Sequence, residues 1–94
     1  MKIFDWDSEN NKMLKRERHI SFEEVVLYIE RGDILNIVPH PNKKRYPNQR
    51  IYLVDIDNYV YLVPFVESED MVFLKTIIPS RKATKAYLGK RGDV

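Results

Sequence analysis

The chain has no cysteine in its 94 residues, so neither a disulfide staple nor a thiolate metal site can hold it together. Glycine occurs three times and tryptophan once, and the two histidines, His19 and His40, lie 21 positions apart, too few imidazoles for a zinc site. No apolar run is long enough to span a membrane, and the first residues carry no apolar segment of the kind a secretory signal has. The expectation is a cytoplasmic protein that needs no metal, no cofactor and no membrane.

What is present suffices for one domain covering residues 1–94. Hydrophobic residues make up 44% and aromatics 12%, enough to bury a modest core. The formal net charge of +2 conceals an asymmetry: residues 1–70 carry 10 Lys and Arg against 13 Asp and Glu, whereas residues 71–94 carry 6 against 1. A positive field gathered at the C-terminal end suits a nucleic acid or an acidic protein better than a neutral small molecule.

The stretch FLKTIIPSRKATKAYL, residues 73–88, organises the rest. Residues 72–78 read as an apolar strand with Lys75 as its one charge, and Pro79 stops it because proline cannot donate to a sheet ladder. Ser80 is a good N-cap, and Ala83, Ala86 and Tyr87 then recur at helical spacing over residues 81–88. Arg81, Lys82 and Lys85 fall off that apolar stripe. Cations beside the orphan N–H groups of a helix start suit an anion, phosphate above all. Residues 89–94 are expected to fray.

Earlier in the chain, Ile3, Phe4 and Trp6 make a strand-like entry, and Asp7 or Ser8 caps a first helix reaching about Arg18. Lys12, Lys15, Arg16 and Arg18 give that helix a basic rim. Ser21 with Glu24 forms a capping box, and Ile20 with Val25 a hydrophobic staple. Phe22, Val25, Val26 and Ile29 follow at helical spacing, and Gly32 is a natural terminator. Residues 34–38 read as a strand, followed by an extended basic loop, PHPNKKRYPN, in which Lys43, Lys44, Arg45 and Tyr46 combine charge pairing and stacking for single-stranded RNA.

Residues 50–56 and 59–66 read as a hairpin about the turn Asp57-Asn58. Its register puts Arg50, Tyr52, Val54 and Ile56 on one face with Phe65, Val63, Tyr61 and Tyr59, and Ile51, Leu53, Val60 and Leu62 on the other. Both faces are apolar, so both need covering, one by the N-terminal helices and the other by the terminal helix or a partner. Pro64 implies a bulge or an unpaired edge. The expected fold is α+β: an antiparallel sheet of four to five strands, two N-terminal helices on one face and a C-terminal helix.

Three segments, FDWD at 4–7, ISFEE at 20–24 and IPSRKAT at 78–84, resemble in order and spacing the BrnT family of bacterial toxins, which is similar in fold to the RelE-type ribonucleases. The resemblance implies a metal-independent endoribonuclease in a type II toxin-antitoxin pair, inhibiting translation and growth. Its partners would be RNA, free or ribosome-bound, and a cognate antitoxin of ribbon-helix-helix type. The family usually has Lys-His-Gly where Glu17, Arg18 and His19 stand here, and a Glu-Arg pair where this chain has Gln49-Arg50.

Cleaving RNA without a metal needs a base for the 2′-hydroxyl, stabilisation of the pentavalent phosphate and an acid for the leaving oxygen. The candidates are Arg81 and Arg50 as phosphate clamps and His40, Lys75 and Tyr61 for proton transfer. Lys43, Lys44, Arg45, Tyr46, Lys82 and Lys85 are the candidate RNA contacts. A second expectation is a non-catalytic nucleic-acid-binding or regulatory module using the same basic surface.

Overall fold

Trp6 and Asp7 turn the chain from strand to helix. The structure, a computed structural model, describes residues 2–92 and opens with β1 (Ile3–Trp6). Asp7, with extended backbone, accepts the Glu9 N–H at 3.0 Å and starts α1 (Ser8–Arg18). Ser21 accepts the Glu24 N–H at 3.1 Å and starts α2 (Phe22–Glu30), which presents Phe22, Val25 and Ile29 to the core. Gly32, at φ 92°, lets the chain leave α2. These caps stand where the residue types require them.

Between the two helices His19 takes the left-handed conformation, φ 57° and ψ 35°. In that region a Cβ crowds the following carbonyl, and glycine does not. His19 occupies the position at which the resembled family has glycine. His19→Gly is therefore expected to raise stability by about 0.5–1 kcal/mol, net of glycine's greater freedom in the unfolded chain. A thermal melt checks the sign.

The remaining strands are β2 (Ile34–Pro39), β3 (Gln49–Ile56), β4 (Tyr59–Glu67), β5 (Met71–Leu74) and the two-residue β6 (Ile78–Pro79), followed by α3 (Arg81–Gly92). The sheet order is β1-β5-β4-β3-β2, with β6 also beside β4. Asp57 and Asn58, both at positive φ, make the tight β3–β4 turn, and Arg50 faces Phe65, Tyr52 faces Val63 and Val54 faces Tyr61, the register read from the sequence.

Two expectations fail here. The sheet has six strands and is mixed, not antiparallel: β1 runs parallel to β5, with Ile3 opposite Met71 and Trp6 opposite Leu74. The chain leaves β1 through two helices, re-enters at the far edge as β2, and after three hairpin connections β5 arrives beside β1 pointing the same way. The single strand expected over 72–78 also divides. Phe65 pairs Leu74 but Leu62 pairs Ile78, a slip of one residue, with the Lys75 N–H bonded to the Pro64 carbonyl at 2.8 Å. This is the bulge that Pro64 implied. A one-residue slip exchanges faces, so Ile77 is buried while Ile78 is exposed.

Helices lie on both sides of the sheet. On one, Leu14, Phe22, Val25 and Ile29 pack with Tyr52, Val54, Val63 and Phe65, and Trp6 stacks on Phe22 at 5.7 Å. On the other, Leu88 of α3 closes over Ile51, Leu53 and Val60. The hairpin's second apolar face is thus covered by the terminal helix, one of the two covers expected for it. That helix runs on to Gly92, past the expected fraying point at Gly89, and Asp93 and Val94 lie outside the described residues. No helix among the described residues is long and apolar enough to cross a membrane.

Each outermost strand has a main-chain N–H bonded by the preceding side chain: Asp5 takes that of Trp6 and Asn36 that of Ile37, both at 2.8 Å. Those donors are not offered to a further strand, which blunts edge-to-edge pairing. At the other end of β1, Lys2 Nζ lies 2.7 Å from Glu67, and Arg50 pairs with the same carboxylate. The hydrogen bond from Lys2, then that from Arg50, holds Glu67 below the usual carboxylate range. A lowered folded value means this support is complete above the ordinary range and is lost as pH falls through the folded value. Acidification is expected to lower exchange protection of the Ile3 N–H, which bonds Asp70 O at 2.9 Å, and Glu67→Gln should abolish that pH dependence.

Candidate nucleic-acid interface

The start of α3 is fastened to the sheet before it is a helix. Pro79 lies opposite Tyr61 and ends the ladder, yet the Ser80 N–H adds one more sheet bond, to the Val60 carbonyl at 3.0 Å. Ser80 then caps the helix, its Oγ accepting the Ala83 N–H at 3.0 Å and its carbonyl the Thr84 N–H. Arg81 and Lys82 consequently occupy the first turn, and no acid stands there, whereas α1 opens with Glu9 and α2 with Glu23 and Glu24.

That arrangement is electrostatically unfavourable on its own. A cation at the positive end of a helix dipole costs roughly 0.3–1 kcal/mol, and Arg81 and Lys85, four apart, add a like-charge pair. No ion pair among the described residues includes Arg81, Lys82 or Lys85. A bound anion, attracted by both the cations and the helix start, would offset these costs.

The C-terminal end of α1 comes to the same segment. Arg18 donates from Nη1 to the Ile77 carbonyl at 2.6 Å, an acceptor that lies where the β5–β6 strand is interrupted. Arg81 follows Ile77 by four residues. Tyr61, across from Pro79, meets Tyr59 edge to face at 5.7 Å. A hollow at the α1–α2 junction is lined by Lys15, His19, Ile20, Ser21 and Glu24, the last of which acts by its charge on Tyr61. The first turn of α3, with Arg81 and Lys82, therefore follows directly on the β6 residue paired with Tyr61, and the Arg18 guanidinium is fixed to the segment that leads into it.

The remaining sequence candidates lie elsewhere. Arg50 stands opposite Phe65, four residues along β4 from Tyr61, which is about 14 Å at the usual strand rise. Its guanidinium lies over the Phe65 ring at 5.2 Å and pairs with Glu67. His40 is next to it in the ladder, its N–H bonded to Gln49 O at 3.1 Å. Nδ1 of His40 accepts the Asn42 N–H at 3.0 Å, so the neutral ring carries its proton on Nε2 and has no lone pair left for a 2′-hydroxyl proton.

The loop after His40 is a compact turn and not extended. Asn42 accepts the Arg45 N–H with its side chain and the Tyr46 N–H with its carbonyl, Tyr46 packs on His40 at 4.5 Å, and the Arg45 guanidinium lies over the Tyr46 ring at 5.5 Å. An asparagine placed to cap a turn overrides the extended preference of the flanking prolines. Lys43 and Lys44 remain exposed. Lys75 lies over Phe73 at 5.5 Å. Burial first, then the charge of Glu24, pushes the Tyr61 hydroxyl above the usual phenol range, the wrong direction for a base.

Of the five candidates for catalysis, then, Arg81 and Tyr61 share one end of the sheet, and Arg50 and His40 share the other. Arg18, which reaches the segment leading to Arg81, and Tyr59, which touches Tyr61, were not singled out in the sequence as site residues. Arg18 was visible only as part of a basic rim, and no spacing rule reports that it reaches a carbonyl 59 residues away. Among the described residues no group of three or more His, Asp and Glu side chains is placed to hold a metal ion. No protein-family model, no curated protein and no solved structure matches the chain.

Proposed function

We propose that this chain is an endoribonuclease of the toxin type, independent of metal, which engages single-stranded RNA at the sheet end bordered by Arg18, Arg81, Tyr59 and Tyr61 and is kept inactive by an antitoxin encoded beside it. The observation that carries the reading is the first turn of α3, where cations stand against the helix dipole with no acid to offset them. The resemblance of the three segments supplies the reaction class and the partner.

In this reading Arg81, with its forked donors, meets the phosphate oxygens as the 2′-oxygen attacks, and Arg18 adds charge from the end of α1. Tyr59 and Tyr61 hold the flanking bases. Proton transfer falls to His19, the imidazole that lines the hollow at the α1–α2 junction. Arg50 and Lys2, tied to Glu67, belong to the anchoring of β1.

A second reading, an RNA-binding regulatory module that does not cut, is favoured by two facts: His40 has no free acceptor and Tyr61 is shifted away from ionisation. Incubating the purified chain with single-stranded RNA in a metal chelator separates the two. Fragments ending in 2′,3′-cyclic phosphate are the expected result. Salt-sensitive binding with intact RNA would establish the second reading, and neither binding nor cleavage would sink both.

A further inference from the structure

The motif segment at 78–84 ends on a threonine whose hydroxyl does two things at once. Thr84 Oγ1 accepts the Val60 N–H at 2.8 Å and donates to the Ser80 carbonyl at 2.7 Å. The Val60 carbonyl is meanwhile taken by the Ser80 N–H at 3.0 Å. Both main-chain groups of Val60, a fully buried residue, are thus bound by Ser80 and Thr84 at the start of α3, just past the end of the β4–β6 ladder. A single hydroxyl extends the sheet's hydrogen bonding into the helix.

Val60 is the residue between Tyr59 and Tyr61, and Ser80 and Thr84 bracket Arg81. We infer that Thr84 is a positioning residue, whose hydroxyl sets Arg81 in register with the Tyr59–Tyr61 pair by joining Val60 to the first turn of α3. This rests on the reading of that sheet end as the RNA site and adds to it the group that holds its cation and its aromatics in one frame. The apolar contact of α3 does not fix this frame by itself, since among the described residues Leu88 is its one deeply buried side chain, with Ala83 packed beside it, and the helix could pivot about that contact. A hydroxyl that must both accept and donate at 2.8 and 2.7 Å leaves no such freedom at the N-terminal end.

The test is a double-mutant cycle read with a short single-stranded RNA carrying 2′-O-methyl groups, which the protein can bind but cannot cut. Arg81→Ala is expected to weaken binding about tenfold, the loss of one charge-assisted contact. Thr84→Val, which keeps shape and removes the hydroxyl, should weaken it about fivefold alone but less than twofold in the Arg81→Ala background, because its effect passes through Arg81. Thr84→Ser should restore wild-type affinity and the exchange protection of the Val60 N–H, which Thr84→Val loses. Equal losses from Thr84→Val in both backgrounds would make Thr84 a purely structural residue and overturn the inference. If Arg81→Ala binds as the wild type does, the RNA site itself is misplaced, an outcome read from a different arm of the cycle.

Discussion

Asn11→Ala is expected to cost about 2–3 kcal/mol of stability, which at this chain length corresponds to a fall in melting temperature of roughly 10–20 °C. Among the described residues Asn11 is the one buried polar residue, 5% exposed, and both ends of its amide are used. The oxygen accepts the buried Phe22 N–H at 2.8 Å and the nitrogen donates to Glu23 Oε1 at 2.8 Å. Phe22 opens α2, so its N–H has no partner within the helix. Removing the amide leaves that donor unpaired in a water-free place, about 1–3 kcal/mol, and opens a small void beside the start of α2.

Glu23→Gln separates the two halves of the bond. The carboxylate is more than half exposed, and although the Asn11 amide holds it below the usual range, solvent screens most of the benefit. A loss under about 0.5 kcal/mol is expected for Glu23→Gln, well below that for Asn11→Ala. Chemical denaturation of the two variants side by side checks the ordering. Equal losses would mean that the ion-paired surface, and not the Phe22 N–H, is what Asn11 serves.

The three segments that carry the family resemblance turn out to be joints of the fold. Asp7 caps α1, Trp6 stacks on Phe22, Ser21 caps α2, and Ser80 with Thr84 seats α3 on Val60. These were legible because a cap is a local event: one side chain, one N–H two or three residues on, and a residue type that favours it. The β3–β4 register was legible for the same reason, since a two-residue turn with positive φ leaves a single alternation compatible with two apolar faces.

What was not legible depends on distant partners. Nothing in IFDW says that its neighbour is MVFL, 68 residues on and parallel, because β1 makes only four pairs and its pattern fits either direction. Asn11 reads as one polar residue in a polar helix until Phe22 is folded over it. Arg18 and Arg81 come from opposite faces of the sheet, and only the interruption at residues 75–77, which frees the Ile77 carbonyl, brings the end of one helix to the segment that leads into the other. His40 had the right side chain for proton transfer and lost its acceptor to a neighbouring main-chain N–H. Functional geometry is the part of this chain that spacing encodes least.

Arg81→Ala is the variant in which activity and stability should move in opposite directions. If Arg81 meets the phosphate as charge builds in the transition state, its loss should lower the cleavage rate about 10²–10³-fold, the range found when one preorganised donor to a developing oxyanion is removed. The same change deletes a cation from the positive end of α3 and breaks the like-charge spacing with Lys85, which should raise stability by about 0.3–1 kcal/mol. Alanine also has the best helix propensity, so the gain cannot be cancelled by the backbone. Arg81→Glu should extend the trend, more stable still and without detectable cleavage, because an acid in the first turn completes the dipole and repels RNA. A merely solvating surface arginine would give the small stability gain with unchanged cleavage, and a structural one would lose both together. Only a residue held in an unfavourable place for the sake of an anion gives the crossed result, and measuring the melt and the cleavage rate on the same preparations decides among the three.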